Sequence, residues 1–231
     1  MVAEINFGGI RGTMEKVEGH RAANYKRIAL PGMGTFSELA GQPWMDLHAH
    51  MVQWAANRAI VEPEGLGFRF IIDFSGTKLP DKSVQVHLLD ANPASFDNYS
   101  LTPASFSAHD PGNVLYHIAN RIAEKYKFVV NIAGHSSSNE DFFVFTDGNP
   151  SQVVHSLIVA KGPYTCVSAM PSNQWRALGR VISEELKMLS EGTAIEKLGY
   201  RLEINNGWFA QAVAQMHAHL KAGNLAAEPI I

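Results

Sequence analysis

Near the end of the chain, Gln215, His217 and His219 alternate with Met216, Ala218 and Leu220. On a strand, successive side chains point to opposite faces. Gln215, His217 and His219 would then share one ridge, each about 6 to 7 Å from the next. A neutral imidazole near pH 7 is a nucleophile that needs no costly deprotonation. Such a ridge can present it to a phosphate with hydrogen-bonding groups on either side. A His-x-His pair also suits a metal ion or a purely structural role. Zinc is the weaker reading, because no cysteine cluster or third ligand lies at recognisable spacing, and no metal is expected. His48-Ala49-His50 repeats the string inside a helical pattern, where residues two apart diverge by about 200°. That copy is read as incidental, and His135, beside Ser136, Ser137 and Ser138, as a loop residue.

The elements that would position the ridge follow from periodicity. Strands are expected over residues 68–72, 84–89, 142–145, 156–160, 200–204 and 213–220, which are mostly short, rich in β-branched or aromatic residues and bounded by turn formers. Trp175, Leu178, Ile182, Leu186 and Leu189 recur at three- and four-residue steps and predict a helix, capped by Ser172 or Asn173 and stopped by Gly192. Trp44, Leu47, Met51 and Trp54 predict a second, and Leu115, Ile118 and Ile122 a third over residues 113–126. Strands grouped around a few helices give an α+β class with antiparallel sheets. Thr146-Asp147-Gly148-Asn149-Pro150 and Asn205-Asn206-Gly207 both read as turns. Gly8-Gly9-Ile10-Arg11-Gly12 lacks the lysine and following helix of a phosphate loop and is assigned no function.

The sequence also repeats itself. Residues 66–73 match residues 198–205 without a gap, at an offset of 132, and His87-Leu88 then falls on His219-Leu220. The division that follows is a first copy over residues 1–90, a linker over 91–112 and a second copy over 113–231. Residues 1–24 find no counterpart. At the same offset Gln85 stands in the position of His217, Ser83 in that of Gln215 and His87 in that of His219. An amide nitrogen is not nucleophilic, so the first copy cannot run the same covalent step.

Taken together, several segments resemble the histidine-triad (HIT) family. They are Gly199-Tyr200-Arg201, then Asn205-Asn206-Gly207, then Gln211 ahead of the His ridge. Upstream lie Phe145-Thr146-Asp147-Gly148-Asn149-Pro150 and His155-Ser156-Leu157-Ile158-Val159-Ala160-Lys161. The match covers about residues 140 to 223 in the family's order. It departs at Gln215, where the family has its first histidine, at Ala160, which replaces a proline, and at Ala212, where many members carry a hydroxyl. The resemblance implies two HIT-like units, each an antiparallel sheet with a packed helix, forming a pseudo-dimer within one chain. It also implies attack by His217 on the α-phosphorus of a nucleotide, giving a covalent nucleotidyl-imidazole. His219 would bind phosphate oxygens or protonate the leaving group. Gln215 would orient the phosphate without acting as an acid or base. Asp147 would accept from the ribose hydroxyls, Asn205 would position the phosphate, Gln211 would belong to the substrate site, and Phe145 would line the base pocket.

Composition limits the alternatives. With 19 basic and 22 acidic residues, a net charge of −3 and no Lys/Arg-rich run, nothing points to nucleic-acid binding. A single cysteine, Cys166, excludes an intrachain disulfide and suits a reducing compartment. No signal-peptide pattern and no apolar run of membrane-spanning length are present, so the expectation is a soluble cytoplasmic protein, monomeric as a pseudo-dimer or homodimeric. Its partner would be a small-molecule nucleotide, with no cofactor. Two functional readings remain: a nucleotide hydrolase or nucleotidyltransferase using His217, or a catalytically impaired nucleotide-binding or regulatory module. A purely structural duplicated domain would have no nucleotide affinity.

Overall fold

A computed structural model describes residues 2–19, 24–56, 67–76, 82–90, 113–122, 131–192, 194–206 and 213–225. Its strands are β1 (Val2–Phe7), β2 (Ile10–Lys16), β3 (Tyr25–Pro31), β4 (Phe68–Phe74), β5 (Ser83–Asp90), β6 (Phe142–Thr146), β7 (Val154–Ala160), β8 (Tyr200–Asn206) and β9 (His217–Ala222). The helices are α1 (Phe36–Leu39), α2 (Gln42–Ala56), α3 (Val114–Asn120), α4 (Ser172–Gly192) and α5 (Ile195–Leu198). The strands form one nine-stranded sheet in the order β1-β2-β3-β5-β4-β8-β9-β7-β6, and all neighbours run antiparallel. The α+β class read from the sequence is the one adopted.

Three differences from the sequence reading have local causes. Residues 2–16 form a hairpin, β1–β2, that the apolar pattern did not announce. Its two-residue turn is Gly8-Gly9, at φ 57° and 89°, a left-handed geometry that glycine adopts without a Cβ clash. Helix α3 ends at Asn120 because Arg121 turns to φ 56° and its N–H bonds back to the last turn. Strand β9 begins at His217, not at residue 213, because Gln215 N–H donates to Val213 O in a tight turn and Met216 N–H to Tyr164 O. Residues 91–112, read as a linker, lie outside the described residues.

Alternation sorts each strand between two faces. Phe68, Phe70, Ile72 and Phe74 of β4, Leu202 and Ile204 of β8, and Ala218 and Leu220 of β9 join the main core under α2 and α4. The opposite face carries Arg69 and Asp73, Arg201, Glu203 and Asn205, and His217 and His219. Part of it is covered by α3, where Leu115 and Ile118 pack on Phe143, Phe145, Leu157 and Val159. Among the described residues no helix is long and apolar enough to cross a membrane.

The two halves meet at β4 and β8. Ile71 lies opposite Glu203, 132 positions away (203 − 71). Ile71 also pairs with His87 on β5, as Glu203 pairs with His219 on β9, so the inner register of one half recurs in the other at the same offset. Side chains reciprocate across the seam. Arg69 Nε donates to Asn205 Oδ1 at 2.6 Å, and Arg201 Nε to Asp73 Oδ1 at 2.5 Å. On the helix side, Trp44 of α2 and Trp175 of α4 stack at 4.1 Å, each indole N–H donating to the other's backbone carbonyl.

Gly179 of α4 admits this stack: a Cβ there would lie 2.8 Å from Trp44 Cδ1 and Nε1. Valine at this position is expected to lower stability by about 2 kcal/mol, overpacking outweighing the loss of a poor helix former. The check is a fall in the urea midpoint with an unchanged slope.

Candidate active site

His217 opens β9 with its imidazole on the α3 face, 6% exposed. Its Nδ1 lies 2.7 Å from the backbone carbonyl of Gln215. A carbonyl only accepts, so Nδ1 carries the proton and Nε2 keeps its lone pair. Burial pushes this imidazole below the ordinary histidine range, opposed by the Gln215 carbonyl and by Asp147. The neutral form with a basic Nε2 is therefore favoured near pH 7, as a nucleophile requires. Gln215 itself is fully buried just ahead of the strand. Its Nε2 donates to Ala160 O at 2.5 Å and Gly162 O at 2.8 Å, and Asn113 Nδ2 donates to its Oε1 at 3.3 Å. The side chain thus pins the end of β7 and the entry to β9, and only His217 and His219 stand on the expected ridge.

The register brings in a third histidine. Leu157 of β7 pairs with His219, and His155, two residues earlier on the same face, reaches His219 Nδ1 with Nε2 at 2.9 Å. Ser151 N–H donates to His155 Nδ1 at 3.1 Å, which places the proton of His155 on Nε2. His219 Nδ1 then accepts, and its own Nε2 carries a proton. Burial, followed by His217, His155, Lys221 and Arg69, holds His219 well below the ordinary range. Asp147 Oδ2 lies 3.3 Å from His155 Nε2. By distance alone Asp147, His155 and His219 could hold a metal ion, their ligand atoms lying within 4.8 Å of one another. The fold thus supplies the further ligands that spacing along the chain did not reveal. A metal on His155 Nε2 would need the proton on Nδ1, where the Ser151 amide already donates, whereas ligating histidines normally donate from their second nitrogen. The trio is built as a relay of hydrogen bonds.

The other sequence-derived residues fall around this pair. Asp147 closes the β6–β7 turn, its Oδ1 accepting from Asn149 N–H at 2.8 Å, so the turn reading of this segment is met. Asn205 lies level with His217, since Ile204 pairs with Ala218. Phe145 pairs with Leu157 and so lies level with His219, in the apolar cluster under α3. Gln211 lies outside the described residues.

A polar cluster behind the row escaped the sequence reading. Glu185 of α4, 0% exposed, accepts from Ser137 Oγ at 2.6 Å and Ser156 Oγ at 2.6 Å, and lies 2.8 Å from His135 Nδ1. His135 Nε2 reaches Thr146 Oγ1 at 3.1 Å. Thr146 and Ser156 adjoin Asp147 and His155, so one carboxylate ties down both strands of the relay. Burial alone would raise the Glu185 carboxyl, but the bonds from His135, Ser137 and Ser156 together hold it below the glutamate range. The signal was a glutamate three residues after Ile182, on the apolar stripe.

Neither protein-family models nor the sequences of curated proteins match the chain. Solved structures do. The fold is similar to that of an ADP-glucose phosphorylase from Arabidopsis thaliana with bound ADP-glucose, at a TM-score of 0.61 and 8% identity, over 97% of this chain and 80% of that one. A GalT-like protein from the same plant gives 0.57 and 6% over 97% and 80%. A uridylyltransferase mutant gives 0.55 and 11% over 86% of this chain and 65% of its own. The chain spans 65% and 62% of the two uridylyltransferases, just under two thirds of their length. At these identities the likeness is one of fold.

Proposed function

We propose that this chain, which has a histidine-triad superfamily fold, processes nucleotides at the α-phosphate through a covalent intermediate on His217. The observation that carries the reading is the bond from His217 Nδ1 to the Gln215 carbonyl, which leaves Nε2 as the reactive atom. Nε2 attacks phosphorus, the bond to the leaving group breaks, and the leaving group departs held by a hydrogen bond from His219 Nε2–H and takes a proton from water. The imidazole then carries a positive charge against the Gln215 carbonyl. Water or another acceptor attacks phosphorus, the N–P bond breaks to restore the neutral His217 imidazole, and the acceptor's proton passes to solvent. Asp147 receives the ribose hydroxyls, Asn205 positions the phosphate, Gln211 belongs to the substrate-binding set, and Phe145 lies against the base.

The equal inner registers support reading the halves as a duplicated unit in which the first, with Gln85 facing Asp73, lost the nucleophile. A second reading, a nucleotide-binding module without turnover, is favoured by one observation. Gln215 replaces the family's first histidine and its amide is committed to Ala160, Gly162 and Asn113.

The deciding experiment mixes the protein with adenosine phosphoramidate, diadenosine polyphosphate or ADP-glucose, quenches in alkali and measures intact mass. One adenylyl group on the peptide containing His217, stable in base and labile in acid, is the expected result. Tight binding with neither adduct nor turnover would leave the binding module, and no binding would remove both readings.

A further inference from the structure

The helix side of the molecule carries a cleft that the His217 site does not use. It lies between α1 with the start of α2 and the first half of α4, and its volume is about 420 Å³. Clefts of this size hold small molecules. Phe36, Trp44 and Met45 give it an apolar floor, and Arg176, Arg180 and Ser183 form the wall on α4. Gly179, between the two arginines, has no side chain and lets the Trp44 indole close against the α4 backbone. Trp44 belongs to the core under α2 and α4, whereas His217 stands on the opposite face of the sheet. The two sites share no residue.

The cleft's charges have no counterpart. Arg176 and Arg180 are both exposed and lie four residues apart on α4, so both side chains leave one face of the helix. Like charges at this spacing destabilise a helix. The other lining residues are neutral. Among the described residues neither arginine has an ion pair or a hydrogen bond, and Glu184, four residues beyond Arg180, forms none with it. Asp46 of α2 is already engaged, accepting from Gln42 Nε2 at 2.6 Å and from Gly8 N–H at 2.7 Å.

Two guanidinium groups match a doubly charged partner. A phosphate monoester carries a charge of about −1.5 to −2 near pH 7 and three acceptor oxygens. The planar fork of each guanidinium fits those oxygens. A carboxylate brings a single charge and leaves one arginine unmatched. The apolar floor adds a surface for an organic body beside the phosphate.

We propose that this cleft binds a small phosphate monoester with a flat apolar body, its phosphate held by Arg176 and Arg180 and its body laid against Trp44 and Met45. The site is independent of the nucleotide reading of His217.

The test is calorimetric titration of phenyl phosphate into the wild type, Arg176→Ala, Arg180→Ala and the double variant, with benzoate and phenol as comparison ligands. Phenyl phosphate should bind the wild type more tightly than either. The double variant should weaken it at least about 10-fold, the scale of one hydrogen bond to a charged group, and each single variant should fall between. In spectra of nitrogen-labelled protein the Trp44 indole N–H resonance should move with the titration. Both arginines are exposed and alanine favours a helix, so the variants keep the fold, which melting curves verify. No binding of phenyl phosphate, equal affinity for benzoate, or an affinity unchanged in the double variant would overturn the site. An affinity that survives in the double variant and disappears in His217→Ala would place the ligand across the sheet and overturn it too. None of these outcomes depends on whether His217 takes up an adenylyl group.

Discussion

Replacing His217 with alanine is expected to lower turnover of a nucleotide substrate by about a thousandfold or more, the loss typical when a nucleophile is removed from an interdependent set. The physical reason is that no neighbour can replace it. Gln215 offers an amide whose nitrogen already donates to Ala160 O and Gly162 O. His219 presents a protonated Nε2, because its Nδ1 accepts from His155. Alanine at His219 should cost less, on the order of a hundredfold, since it removes one hydrogen bond to the departing group and leaves the nucleophile in place. Initial rates for the two variants, beside the mass measurement described above, decide the matter. A His217→Ala protein with near wild-type turnover would remove His217 as nucleophile.

The second large effect concerns acid. Glu185 has a folded pKa below its unfolded value, so it binds fewer protons folded than unfolded. Its contribution to stability is complete above the unfolded value of about 4.5 and disappears as pH falls through the lower folded value. Asp73, whose burial is outweighed by His87 and Arg201, adds a loss of the same sign at somewhat lower pH. Stability should therefore decline steeply below about pH 4.5. Glu185→Gln, which keeps the shape and removes the charge, should cost about 2 kcal/mol at pH 7. At 231 residues that is a fall of about 4 to 8 °C in the melting temperature. The same variant should flatten the decline on acidification. Melting curves from pH 3 to 7 would show it, and an unchanged slope in the variant would contradict the assignment.

Much of the frame was readable because the sequence writes its periodicity plainly. The stripe from Trp175 to Leu189 became α4, and the apolar alternations of β4, β5 and β8 fell within two residues of their limits. The first strands were harder: Glu4, Arg11, Thr13, Glu15 and Lys16 leave a hairpin with little apolar alternation, exposed for much of its length. The informative signal was Gly8-Gly9, which made sense as a hairpin turn once it was no longer judged only as a phosphate loop. At the site, His217 and His219 were legible from spacing, because both lie on one strand. The partnership of His155 with His219 spans 64 residues and depends on strand register. Glu185 was hidden for a different reason: a carboxylate on a buried stripe is costly without donors, and its donors come from two separate segments, residues 135–137 and Ser156.

The Trp44–Trp175 stack gives the protein an optical gauge of its own assembly. Two indoles 4.1 Å apart and 13° from parallel share overlapping transitions, and neither stack nor reciprocal carbonyl bonds survive if α2 and α4 separate. Near-ultraviolet dichroism of the stacked pair therefore reports on the joint between helices, whereas the far-ultraviolet signal reports on the helices and strands themselves. Any condition that moves the first signal without the last has parted α2 from α4 while helices and strands stay formed.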